Sequence, residues 1–114
     1  MTESRTHPRF QINWRGAVQL SSGQIIVTKV TNLSSNGIQI LCPQLLVQDQ
    51  TYQLMIEVQE KRDSNRRTQV VCKGSCLYCI LAGDAYRVGI KISDISPQHN
   101  QLLQDWIKTP GKSG

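Results

Sequence analysis

Along most of the chain apolar and polar residues alternate with a period of two, the spacing of β-strands with one buried face. From Asn13 to Leu20, Trp14, Gly16, Val18 and Leu20 alternate with Arg15 and Gln19, with Ala17 between, and Ser21-Ser22-Gly23 closes the run as a hairpin turn. Gln24 to Leu33 is a second strand, rich in β-branched residues (Ile25, Ile26, Val27, Thr28, Val30, Thr31). Gly37 to Cys42 is a short third, stopped by Pro43. After a polar connection over 43–50, Thr51 to Gln59 sets Tyr52, Leu54, Ile56 and Val58 against Gln53 and Glu57. The charged run from Glu60 to Arg67 reads as a solvated hairpin tip. Gln69 to Leu81 is apolar and interrupted by Gly74, so it is one bent strand or two short ones. Gly83-Asp84 is a turn, and Tyr86 to Ile92 places Val88, Ile90 and Ile92 on one face, with Gly89 implying close packing or a bulge.

The period changes at Ser96-Pro97. Ser96 is an N-cap, Pro97 fits the first helical position, and Leu102, Leu103, Trp106 and Ile107 recur at helical spacing. Such a helix covers one open end or face of the sheet. Six or seven short strands and one terminal helix leave no room for a parallel βαβ order. The expected fold is all-β: a six-stranded antiparallel β-barrel, closed or nearly so, with one C-terminal α-helix. Residues 1–12 form a flexible N-terminal arm, 13–108 the barrel and helix, and 109–114 a disordered tail.

Composition narrows the function classes. A chain of 114 residues with net charge +5 is one domain that attracts anions. Its 13 Lys and Arg are sparse for a polyanion binder, so a nucleic acid polymer is not expected. No apolar run reaches the length of a membrane span and the N-terminus has no signal-peptide core, which points to the cytoplasm and to reduced thiols. Cys72, Cys76 and Cys79 have C-x-x-x-C-x-x-C spacing, but an extended strand sets Cys72 and Cys76 about 13 Å apart on one face and Cys79 on the other. They read as small core residues and not as cluster ligands. Gly111-Lys112-Ser113 looks like the end of a phosphate-binding loop, yet Trp106 stands where its leading Gly is required. No paired carboxylates, Ser/His/Asp arrangement or His-rich set appears, so neither an enzyme nor a metal site is expected.

Two stretches carry candidate chemistry. In the arm Arg5-Thr6-His7-Pro8-Arg9, Pro8 biases His7 away from helix, and an extended chain projects Arg5 and Arg9 to one side, roughly 13 Å apart. That span suits a small dianion. In Asn32-Leu33-Ser34-Ser35-Asn36-Gly37, Asn32 and Ser34 share strand parity, and Gly37 permits a positive φ or the close approach of another molecule.

These stretches fit R-x-x-x-R and [D/N]-x-S-x-x-G, and Tyr86-Arg87-Val88-Gly89-Ile90-Lys91-Ile92 looks like the Gly-containing last strand of the same family. Together they resemble the PilZ domain, a bacterial receptor for cyclic diguanylate (cyclic di-GMP). The resemblance runs from the arm to the C-terminal helix. It implies a barrel whose arm folds over a ligand held at the barrel's mouth, with cyclic di-GMP as ligand and no other cofactor. It places Arg5 and Arg9 on the phosphates and guanine edges, and Asn32, Ser34 and the Gly37 backbone beneath a guanine and its phosphate. His7, Ser35, Asn36 and Tyr78 are lesser candidates: His7 is an incidental arm residue or stacks on a base, and Tyr78 flanks the ligand or fills the core. The residue chemistry agrees, since an arginine fork pairs with guanine O6 and N7, bridges phosphate oxygens and stacks on a purine. Ser4 stands where many members carry a further arginine, which leaves one ligand or a stacked pair open. Asn32 replaces the more frequent Asp. The implied role is a receptor that signals to an unknown protein effector, in motility or exopolysaccharide regulation. The alternatives are a PilZ-fold protein–protein interaction domain without nucleotide binding, and a basic barrel that stacks single-stranded RNA on exposed aromatics. The sequence leaves the oligomeric state open.

Overall fold

A computed structural model describes residues 10–35, 37–63 and 65–108. Among them six strands, β1 (Phe10–Gln19), β2 (Ile25–Ser34), β3 (Gly37–Cys42), β4 (Thr51–Gln59), β5 (Arg67–Ala82) and β6 (Ala85–Ile95), precede one helix, α1 (Pro97–Lys108). The strands close into a barrel in the order β1-β2-β3-β6-β5-β4, and each pairing is antiparallel. Closure leaves no sheet edge to template aggregation. Alternation sends Val18, Val30, Leu33, Ile40, Leu54, Ile56, Val58, Val70, Val88 and Ile90 into a single core.

Where the strands depart from strict alternation, bulges are the cause. β1 starts at Phe10, three residues before the alternation that begins at Asn13, because its register shifts between Gln11 and Trp14 and hides the period. β5 is one bent strand of 16 residues, irregular at Lys73/Gly74 and again at Cys76/Tyr78. At the second site Cys76 faces Ile90 and Tyr78 faces the next residue, Gly89, so Leu77 is extra and parity reverses beyond it. Cys79 therefore packs against the core and not on the outer face that unbroken spacing assigns to it, and the Leu46 N–H donates to its Sγ at 3.4 Å.

Both ends of the barrel are closed. Antiparallel order brings the start of β1, the β2–β3 turn, the β4–β5 turn and the end of β6 to one end, and α1 lies across it. Ser96 caps the helix, its Oγ accepting from the His99 N–H at 3.2 Å. Leu103 enters the core, and Trp106 meets Trp14 edge-on at 5.5 Å while donating from Nε1 to the Gln59 carbonyl at 2.8 Å. At the opposite end the polar connection over 43–50 contributes one apolar anchor, Leu46, to the core.

Candidate ligand-binding site

The site begins with a bulge in β2. Against β3, Val30 pairs with Ile40 but Asn32 with Gln39, so Thr31 is the extra residue, and β1 shifts register beside it. Beyond the bulge Leu33 points inward and Asn32 and Ser34 outward, as their shared parity requires. Cross-strand pairing then lines up an outward row over five strands: Gln11 on β1, Asn32 on β2, Gln39 on β3, Gly89 on β6 and Tyr78 on β5. Hydrogen bonds tie three of these together. Asn32 Nδ2 donates to Gln39 Oε1 at 2.8 Å, and Gln39 Nε2 donates to the Tyr78 hydroxyl at 2.9 Å. Thr31 Oγ1 adds contacts to the Gln39 carbonyl at 3.2 Å and to its Oε1 at 3.3 Å.

Gly89 makes the row possible. A Cβ there would overlap the Tyr78 ring, which lies across β6 to reach Gln39. Tyr78 is thus a half-buried residue of the outer wall, not a filler of the core. Gly37 serves a parallel purpose one row further along. Its missing Cβ lets β3 approach the Ile90 carbonyl of β6, and its own carbonyl accepts from Ser34 Oγ at 3.3 Å. Ser35 is exposed in the turn, beside a hollow of about 100 Å³ where Ser34, Ser35 and Gly37 face Asn100 and Gln104 of α1.

Cations border the polar row on both sides. Pairing aligns Arg15, Lys29, Leu41 and Arg87 as the next outward row in one direction, and sets Lys91 opposite Gly37 in the other. All four cations are exposed, and among the described residues none has a carboxylate within ion-pair distance. A groove of about 360 Å³ opens here, lined by Gln11, Ile12, Thr31, Asn32, Gln39, Leu41 and Arg87. Positive charge held in low-density groups around neutral donors and acceptors attracts a small anion and reads its polar edge.

Asn32 thus faces the outer wall, while Ser34 and Gly37 stand at the end of the barrel that α1 covers. Leu103 and Trp106 of α1 pack into the core at this end. Arg5, His7, Arg9 and Asn36 lie outside the described residues. The described chain begins at Phe10, which pairs with Leu33, with Gln11 opposite Asn32. Sequence reasoning passed over Gln39, Gln11 and Arg87. Gln39 had a signal, being the polar residue between Ile38 and Ile40 that shares outward parity with Gly37.

The thiols stand apart from this wall. Burial pushes Cys72 up to about 11, and raises Cys42 and Cys76 as well, so all three stay protonated. Among the described residues, no group of three His, Cys, Asp or Glu comes together in a way that could hold a metal ion.

Comparison with known proteins agrees with this geometry. The inhibitor of motility MotI (DgrA) of Bacillus subtilis superposes with a TM-score of 0.74 at 19% identity, over 91% of this chain and 50% of that one. The PilZ domain with c-di-GMP of YcgR from Escherichia coli gives 0.69 at 13% identity, over 92% and 89%. The MrkH–c-di-GMP complex of K. pneumonia gives 0.68 at 12% identity, over 92% and 51%. The chain thus spans about half of MotI and MrkH, and nearly all of the isolated YcgR domain. No curated protein sequence matches it closely. A sequence model of the PilZ domain matches residues 3–109, and with the closed six-stranded barrel and terminal helix this makes the chain a member of the PilZ domain family.

Proposed function

We propose that the chain is a receptor for cyclic di-GMP that binds the dinucleotide on its outer wall and closes its N-terminal arm over it. The observation that carries this reading is the pairing of Phe10 and Gln11 with Leu33 and Asn32, which starts β1 beside the polar row, one residue after Arg9 in the sequence. Two structural neighbours, YcgR and MrkH, are described in complex with c-di-GMP. In this reading Arg5 and Arg9 grip phosphates and guanine edges, and Asn32, Ser34 and the Gly37 backbone receive a guanine and its phosphate, with His7, Ser35, Asn36 and Tyr78 at the periphery. Four wall cations, Arg15, Lys29, Arg87 and Lys91, balance the ligand's two negative charges.

Ordering the arm has a cost. At roughly 1 to 2 kcal/mol per residue, fixing six or seven residues takes about 6 to 14 kcal/mol from the contact energy, so affinity rests steeply on both arginines. The hollow between the Ser34–Gly37 turn and α1 offers the path by which occupancy reaches a protein effector in the cytoplasm. Calorimetric titration with cyclic di-GMP tests the reading. Wild type binds, and Arg5→Ala and Arg9→Ala each weaken binding about five- to more than a hundred-fold, the worth of one bidentate contact. Unchanged affinity in both variants removes the assignment.

A second reading, a PilZ-fold interaction domain without nucleotide binding, is favoured by one feature. Val27, Ala17, Met55 and Val71 form an outward apolar row across four strands, with Val27 65% exposed. Absence of any thermal shift with the dinucleotide selects that reading.

A further inference from the structure

The Asn32–Gln39–Tyr78 chain has a direction, and the direction matters because Asn, unlike Asp, presents a donor on one side and an acceptor on the other. With Nδ2 committed to Gln39 Oε1, the amide of Asn32, a residue that lines the groove, keeps Oδ1 as its acceptor. Rotating Asn32 alone would set its carbonyl oxygen against the oxygen of Gln39. Turning Gln39 as well would require the Tyr78 hydroxyl to reverse from acceptor to donor. Three side chains are therefore coupled, and Gly89 keeps the last of them pinned across β6.

We propose that Gln39 and Tyr78 are positioning residues that fix Asn32 as a hydrogen-bond acceptor, and that this selects guanine over adenine. The proposal rests on the cyclic di-GMP reading above. The Watson–Crick edge of guanine offers N1–H and N2–H donors, which a fixed Oδ1 accepts. Adenine offers the N1 acceptor at the corresponding place and meets the same oxygen unfavourably, since an unpaired buried polar group costs more than a hydrogen bond gains. A carboxylate needs no such support, because both of its oxygens accept. The relay thus makes an amide do a carboxylate's task, which accounts for Asn at this position without loss of guanine recognition.

The test is calorimetric titration of the full chain with cyclic di-GMP and with cyclic di-AMP, for wild type, Gln39→Leu, Tyr78→Phe and the double variant Asn32→Asp/Gln39→Leu. Wild type prefers the guanine compound. Gln39→Leu weakens cyclic di-GMP binding about three- to tenfold, the worth of one hydrogen bond, and narrows the guanine-to-adenine ratio. Tyr78→Phe acts in the same sense with a smaller effect. The double variant regains both affinity and ratio, since aspartate accepts in either orientation. Wild-type binding with an unchanged ratio in Gln39→Leu overturns the inference, as does a double variant that stays weak, which would mean that Gln39 acts by contact alone. A wild-type protein that binds neither dinucleotide ends the cyclic di-GMP reading and this inference with it.

Discussion

At the scale of single residues, two glycines and one thiol carry the most definite consequences. A Cβ on Gly37 would run into the Ile90 carbonyl, which is backbone in a paired strand and cannot step aside. A Cβ on Gly89 would displace only the Tyr78 ring, which rotates out to solvent. Gly37→Ala should therefore cost about 1 to 3 kcal/mol, as overpacking does, and Gly89→Ala about 1 kcal/mol, the loss of the Gln39–Tyr78 bond. Urea denaturation of the two variants reads that order directly, and a larger loss in Gly89→Ala contradicts it. Cys72 gives a pH dependence. Burial, with a smaller contribution from Asp94, lifts it from 9.0 to about 11, so the folded state resists ionisation that the unfolded chain undergoes. The associated stability is complete below pH 9 and drains away as pH climbs to 11. Between those values the wild-type denaturation midpoint falls more steeply than that of Cys72→Ala. Parallel curves would show that the thiol is better hydrated than its burial indicates.

At the scale of elements, α1 is held by a small set of contacts that substitutions can separate. Leu103, 2% exposed, anchors it in the core, and Leu103→Ala should cost about 2 to 5 kcal/mol in chemical denaturation. Trp106→Phe keeps the ring against Trp14 but loses the bond to the Gln59 carbonyl, for about 1 kcal/mol. The helix was legible in the sequence because its signals are local: Ser96 and Pro97 set its start, and the spacing of Leu102, Leu103, Trp106 and Ile107 sets its buried face. The barrel class followed from alternation in the same way. The bulges at Thr31 and Leu77 were not legible, unlike the bend at Gly74. Nothing near Thr31 or Leu77 announces that each is an extra residue, because a bulge is defined by a partner strand that lies far off in sequence. The fates of Cys79, Tyr78 and Gln39 all turn on those two bulges. Leu46 escaped notice for a related reason, since a lone apolar residue in a polar connection has no period to reveal it.

For the whole molecule, charge and topology act together. The start of β1, the β2–β3 turn and α1 meet at one end of the barrel, and four exposed cations flank the polar row on the adjoining wall. Exposed charges are screened over about 10 Å at 0.1 M salt, so the association rate of a dianion should fall as salt rises, while dissociation changes less. Stopped-flow measurement of Lys29→Ala, which removes one flanking cation without touching the relay, should show a lower association rate and a flatter salt dependence. A variant indistinguishable from wild type would remove steering from the account. The central claim is that cyclic di-GMP lies on the outer wall at the Asn32 row, beneath an arm tethered next to it. Titrating the dinucleotide into ¹⁵N-labelled protein and following amide shifts tests this most directly. The predicted result is that the shifts concentrate at residues 1–12, Asn32 to Gln39 and Gly89, with Gln53, Met55 and Glu57 on β4 unmoved. Shifts centred on β4, or none in the arm, would contradict it.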